Sequence, residues 1–205
     1  MQPRLIALDL DGTLMLRRRG VSPGHRAVVD ELRGRGIEVA IVTGRPLLAT
    51  RATWEELGLD NELVCFNGVW VGHPQREPLA TAGLTPAETA RVTRTMADFD
   101  GVICVYPDRD TWLLDRDTPQ VSQWRIDYDV PIGVDARIRD GFHGHSFKVM
   151  FVGDPAEVDR ALRELRGALG HAFHVVRSEA DRLEVHRAHA TKAWGLAELC
   201  ASRGI

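Results

Sequence analysis

The sequence predicts an α/β protein, with a Rossmann-like parallel-sheet core interrupted by an inserted α+β unit. Two observations carry this: short apolar runs alternate with helix signals over the first third, and a different strand order follows residue 80. Leu5–Leu8 is continuously apolar, as a parallel strand covered on both faces would be. Ser22 and Pro23 fit the cap and first position of a helix whose stripe is Val28, Val29 and Leu32, with Gly34 and Gly36 placed to end it. Val39–Val42 is a second buried strand, Pro46 opens a helix to about Leu57, and Leu63–Phe66 is a third strand. A βαβαβ order implies a right-handed parallel sheet with helices packed on it.

Asn67-Gly68 then reads as a tight hairpin turn. Thr85–Glu88 has the form of a capping box, with Pro86 at the first position of a helix to about Phe99. Val102–Tyr106 and Thr111–Asp115 flank "PDRD" as a second hairpin, and Ser146–Val152 is another strand. Asp154, Pro155 and Glu157 start a helix to about Leu169. Strands near Phe173–Val176 and Leu183–His186 precede a last helix from about Thr191 to Ser202. The expected organisation is a core of residues 1–80 and 181–205, with 81–180 inserted as an α+β domain.

The bulk chemistry excludes several classes. Of 205 residues, 44% are hydrophobic and 27% charged, the balance of a soluble globular protein. A net charge of -3 argues against a nucleic-acid binder, whose footprint would be basic. The apolar runs are too short to span a membrane, and the first residues do not resemble a signal peptide. Cys65, Cys104 and Cys200 are scattered, which suits reduced thiols in a cytoplasmic protein. Homo-oligomerisation stays open.

Two carboxylates, Asp9 and Asp11, stand two residues apart where the first strand ends, and Gly12 follows. Open α/β sheets bind ligands at the carboxyl ends of their strands. A hard cation such as Mg²⁺ would cancel the repulsion between the acids and leave one free to attack phosphorus. The other reading is that an Asp beside Gly merely caps a turn. On these residues alone both readings stand.

"DLDGT" at Asp9–Thr13 resembles the first signature of the haloacid dehalogenase (HAD) superfamily, most of whose members are Mg²⁺-dependent phosphatases. "VTGRP" resembles its second signature. "CFNG" and "RLEVHRAHATKAWGLAEL" resemble the Cof-like branch, which carries a large α/β cap (class IIB) after the third strand. The resemblance implies that Asp9 is a nucleophile forming an aspartyl-phosphate and that Asp11 is the general acid and base. It implies Mg²⁺ on the Asp9 carboxylate and the Asp11 backbone carbonyl, with Thr43, the Gly44 amide and Lys192 holding the phosphate. Singly, Thr43 could end a strand and Lys192 could be a solvated lysine; three matches in order favour the resemblance. The implied substrate is a small phosphorylated metabolite, sugar phosphates foremost. The alternatives are phosphotransfer to another alcohol, a sucrose- or mannosylglycerate-pathway type of phosphatase, and a degenerate or non-catalytic protein that binds phosphorylated ligands.

The family's fourth signature, an acidic "GDxxND"-type loop, should follow the helix ending near Ser202, where the sequence stops at Ile205. The core is therefore expected to be incomplete at its C-terminus, with weak turnover or a need for high Mg²⁺. Gly153-Asp154 follows an apolar strand but precedes Lys192, the wrong order, and reads as a helix start. Arg17–Arg19 read as a solvated loop, and His143 and His145 lack partners at zinc-ligand spacing. His186 and His189 fit either a cleft wall or a turn. Glu184 matches the branch's "LEV" strand without a derivable role, and Trp112, Trp124 and Trp194 read as packing residues.

Overall fold

Pairing of the first apolar run with the second begins the fold in this computed structural model, which describes residues 3–15 and 20–205. Strand β1 (Leu5–Leu8) runs parallel to β2 (Glu38–Ile41), Leu5 opposite Glu38 and Leu8 opposite Ile41. Helix α1 (Pro23–Gly34) connects them, with the Ser22 hydroxyl accepting from the His25 amide at 3.1 Å. Helix α2 (Leu48–Glu56) starts two residues after Pro46, without a side-chain cap. Strand β3 (Leu63–Cys65) joins β2 through a parallel bridge, Val42 to Val64. β1 is less covered than its run of apolar residues predicts: Leu5, Ile6 and Leu8 are half-buried and Ala7 is exposed. Arg17–Arg19 lie outside the described residues.

The chain divides into two compact units, Met1–Thr81 with Ala190–Ile205, and Ala82–His189. In the first, strands β4 (Trp70–Gly72) and β5 (Pro78–Thr81) extend β3 as an antiparallel meander. The last helix, which is the sixth, α6 (Lys192–Ser202), closes over Ala40, Val42, Val64 and Val71 through Leu199. The β3–β4 connection is not a two-residue turn. Phe66–Gly68 forms a 3₁₀ turn in which Phe66 and Asn67 take left-handed backbone angles of φ 53° and 62°.

The second unit is built on a six-stranded sheet. Its strands are β6 (Gly101–Val105), β7 (Trp112–Leu114), β8 (Ile132–Val134), β9 (Val149–Gly153), β10 (Phe173–Glu179) and β11 (Arg182–Arg187), in the order β10-β11-β9-β6-β7-β8. Helices α3 (Pro86–Met96) and α5 (Pro155–Leu169) seal one face over Val92, Met96, Ile103, Phe151, Leu165 and Val185. The Thr85–Glu88 capping box is formed on both sides. Asp154 caps α5 by accepting from the Ala156 amide at 2.9 Å, so Gly153-Asp154 is a helix start. The strand expected from Ser146 begins at Val149, while Ser146 makes an isolated bridge to Leu84.

Two differences from the sequence expectation have clear causes. Residues 181–189 are expected in the core, but β11 is hydrogen-bonded between β10 and β9 and so belongs to the second unit. Helix α4 (Pro119–Tyr128) and strand β8 are absent from the sequence expectation. β8 runs parallel to β7, and parallel neighbours need a crossover, which α4 supplies. The signal is present in Thr118-Pro119, where the Thr118 hydroxyl accepts from Val121, but α4 has no apolar stripe to extend it. Trp112 and Trp124 stack in the interior, and Trp194 packs against the first unit's core, as packing residues do. Burial pushes the Cys104 thiol far above its ordinary range, so it stays neutral and inert.

Candidate active site

Parallel strands end on one side of a sheet, and that places the signature residues together. Asp9 is the residue after β1, Thr43 lies two past β2, and Asn67 lies two past β3. The chain beyond Asp9 folds back in a tight loop, with the Met15 amide donating to the Leu10 carbonyl at 2.8 Å. One Asp9 oxygen accepts from the Leu10 amide at 2.8 Å, and the other accepts from Lys192 Nζ at 2.6 Å.

Lys192 opens α6, where the helix dipole disfavours a cation. Asp9 compensates, and the helix start is held in place from two sides. Thr191 caps it by accepting from the Trp194 amide at 3.1 Å. Gly68, at φ 105°, lies so close beneath that a Cβ would stand 1.9 Å from the Thr191 carbonyl oxygen. Only glycine fits there, and the turn after β3 thereby sets the position of Lys192.

Asp11 takes a partner that sequence reasoning missed. Arg45 grips its carboxylate with two bonds, Nε to Oδ2 at 2.9 Å and Nη2 to Oδ1 at 2.6 Å. The Arg45 side chain is only 10% exposed and the Asp11 side chain 59%, so the arginine is the fixed partner. Its amide donates to Thr43 Oγ1 at 3.2 Å and its carbonyl accepts from the Phe66 amide at 3.0 Å. The arginine stands in the quoted "VTGRP", and the signal available was a cation in a loop that ends on the same side of the sheet as the two acids. Thr43 itself is fully buried. Gly44 backs onto Asn67, whose Oδ1 would lie 2.6 Å from an added Cβ.

The structure therefore brings Asp9 and Lys192 together and pairs Asp11 with Arg45, with Thr43 linked to the arginine's amide. The donors that one turn offers a metal are oxygens only, the Asp9 carboxylate and the Asp11 carbonyl, with no imidazole or thiolate among them. Such a set fits Mg²⁺, which keeps several waters and takes one or two carboxylates. The Asp11 carboxylate is committed to Arg45, which leaves its carbonyl as the donor that residue offers. Among the described residues no group of three His, Cys, Asp or Glu side chains is placed to hold a metal, and His143 stands against Arg94 at 3.4 Å. No described helix is long and apolar enough to cross a membrane.

Fold and site together define a Rossmann-like α/β protein with two cation-paired carboxylates at the ends of its parallel strands and an α+β unit inserted in the chain. A family model described as haloacid dehalogenase-like hydrolase matches residues 6–205, and the chain belongs to that family. It is 28% identical to the HMP-PP phosphatase of Cronobacter sakazakii, a match covering 98% of this chain and 74% of that protein. Among solved structures, a haloacid dehalogenase-like hydrolase from Bacteroides thetaiotaomicron superposes with a TM-score of 0.86 at 22% identity, over 100% of this chain and 78% of the other. A HAD subclass IIB sugar phosphatase superposes with a TM-score of 0.76 at 16% identity, over 98% of this chain and 76% of the other. The signatures' assignment to the HAD superfamily and its Cof-like fold thus holds.

Proposed function

We propose that this HAD-family phosphatase hydrolyses a small phosphate monoester, a sugar phosphate foremost, through an aspartyl-phosphate on Asp9. The observation that carries the reading is the Lys192–Asp9 contact at 2.6 Å, which sets a cation beside a carboxylate at the mouth of the parallel strands. The names of two similar proteins, an HMP-PP phosphatase and a sugar phosphatase, support a small phosphorylated substrate.

In this reading an Asp9 oxygen forms a bond to phosphorus while the bond to the leaving oxygen breaks, and Asp11 gives that oxygen its proton. Water then attacks the phosphorus, its proton passes to Asp11, and Asp9 is released. Lys192 shifts from Asp9 to the phosphoryl oxygens as a point cation, and Thr43 and the Gly44 amide donate to them. The Asp9 carboxylate and the Asp11 carbonyl would hold Mg²⁺, which would supply positive charge to offset that on the transferring group. Arg45 holds the Asp11 carboxylate in the resting chain, and Asp11 leaves that grip to carry a proton. The inserted unit acts as a cap that selects the leaving group.

The test is hydrolysis of p-nitrophenyl phosphate and of a panel of sugar phosphates in the presence of Mg²⁺, with BeF₃⁻ as a trap. Native chain should form an Asp9 adduct with BeF₃⁻ and turn over substrate, and Asp9→Asn should do neither. Turnover that survives Asp9→Asn would overturn the assignment of the nucleophile.

A further inference from the structure

The six-stranded sheet of the second unit has one face sealed by α3 and α5. On its other face, the outermost hairpin carries two histidines that the phosphatase reading does not use. His174 on β10 and His186 on β11 stand directly opposite each other in the antiparallel register, so their side chains project from the same face. Their ring centroids are 5.0 Å apart with the planes at 84°.

The protonation pattern of the inner ring is set by its surroundings. His186 Nδ1 lies 3.0 Å from the Arg187 carbonyl oxygen, which can only accept, so Nδ1 carries the hydrogen. Nε2 is then left with a free lone pair, and no described residue bonds to it. A backbone carbonyl fixing one ring nitrogen so that the other faces outward with its lone pair is the usual support of a metal-ligating histidine. His174, by contrast, is exposed and its ring nitrogens have no partner among the described residues. One imidazole is therefore held rigid at the base and the other is open to solvent.

We infer that His174 and His186 form a two-histidine site for a borderline divalent cation of the Zn²⁺ class, pinned across the β10–β11 hairpin. Metal–nitrogen bonds of about 2.0–2.1 Å let one ion bridge two imidazoles at this ring separation, with water filling the other positions. Imidazole suits Zn²⁺ and Cu²⁺ far better than Mg²⁺, so the site is chemically distinct from the oxygen donors at Asp9 and Asp11. The nearby cation does not oppose it. Lys148 Nζ is bonded to the Glu184 carboxylate at 2.7 Å, a pair that presents no net charge to the hairpin. The Arg187 side chain is likewise engaged, with Glu88 at 2.7 Å. Occupancy would tie β10 to β11 by a link independent of the backbone ladder.

The test uses Zn²⁺ alone, titrated into the metal-free chain in buffer without Mg²⁺. Calorimetry should show one equivalent of Zn²⁺ whose affinity falls at least about tenfold in His174→Ala, since even an outer-shell partner is worth that much. Asp9→Asn should retain that equivalent, which separates this site from the carboxylates at Asp9 and Asp11 and from the fate of the phosphatase reading. ¹⁵N NMR should show the His186 Nε2 resonance displaced by Zn²⁺ while Nδ1 remains protonated. His174 is exposed, so His174→Ala should keep the metal-free circular dichroism spectrum of the native chain; His174→Gln is the second variant. Unchanged Zn²⁺ affinity in folded His174→Ala or His174→Gln, or imidazole resonances unmoved at saturating Zn²⁺, would overturn the inference.

Discussion

Arg139 ties together the inserted unit, and its removal gives a measurable loss of stability. Its Nε bonds Asp115 at 2.5 Å, Nη1 bonds the Ala97 carbonyl at 2.8 Å, and Nη2 reaches the carbonyls of Gly101 at 2.5 Å and Phe99 at 3.4 Å. The Asp115 side chain has no exposed surface, and its other oxygen accepts from the Ile103 amide at 2.8 Å. Arg139→Met would leave a buried carboxylate without its nearest counter-charge and three carbonyls without that donor. Breaking such a pair costs about 3–5 kcal/mol. Arg116, with Nε 3.8 Å from Asp115, retains part of the compensation, which places the cost at the lower end, about 3 kcal/mol. At about 2–4 °C per kcal/mol for a chain of this length, the melting temperature falls by roughly 6–12 °C.

Urea unfolding followed by tryptophan fluorescence, to which the buried Trp112–Trp124 stack of the inserted unit contributes, reads the loss. Asp115→Asn keeps the shape and removes the charge, so combining it with Arg139→Met should cost less than the sum of the single changes by about 1–3 kcal/mol. A loss below about 1 kcal/mol for Arg139→Met, or strict additivity in the double variant, would refute the account.

Lys192→Ala should lower kcat/KM for p-nitrophenyl phosphate by about 10²–10³ while leaving the unfolding midpoint nearly unchanged, because the half-exposed pair with Asp9 is worth little to stability. Lys192→Arg should not rescue activity, since a planar fork replaces a point charge. Gly68→Ala should cost more than about 3 kcal/mol in urea unfolding, combining left-handed strain with a Cβ driven into the Thr191 carbonyl. The same change displaces Lys192, so activity should fall at urea-free equilibrium even where the chain stays folded. Burial raises the Glu88 carboxyl pKa, but the Thr85 amide and hydroxyl and the Arg187 guanidinium outweigh it and hold the group below its ordinary value. A depressed folded pKa gives stability that is full above the unfolded value and is lost as pH falls through the folded one. Glu88→Gln should therefore lower stability at neutral pH and reduce its decline in acid, measured as unfolding midpoints across pH 3–7.

Local chemistry makes much of the fold legible in the residue order alone. Ser22-Pro23, Thr85-Pro86 with Glu88, and Asp154-Pro155 each mark a helix start, because a side-chain oxygen that satisfies the first amides acts within one turn of chain. The same locality places Asp9 and Asp11 at a strand end and Lys192 at a helix start. It fails where partners are distant in sequence. The pairing of Asp11 with Arg45 spans 34 residues, and the clamp on Asp115 draws Arg139 from 24 residues away.

The amino-acid sequence by itself determined the order of Asp9, Asp11, Thr43 and Lys192 along the chain and the alternation of elements that brings strand ends to one side. Only the tertiary structure decided which cation serves which acid, that β11 belongs to the inserted sheet, and that His174 faces His186. Caps and strand runs are settled by neighbours along the chain, whereas ion pairs and strand registers depend on which segments meet once backbone hydrogen bonds and apolar burial are satisfied together.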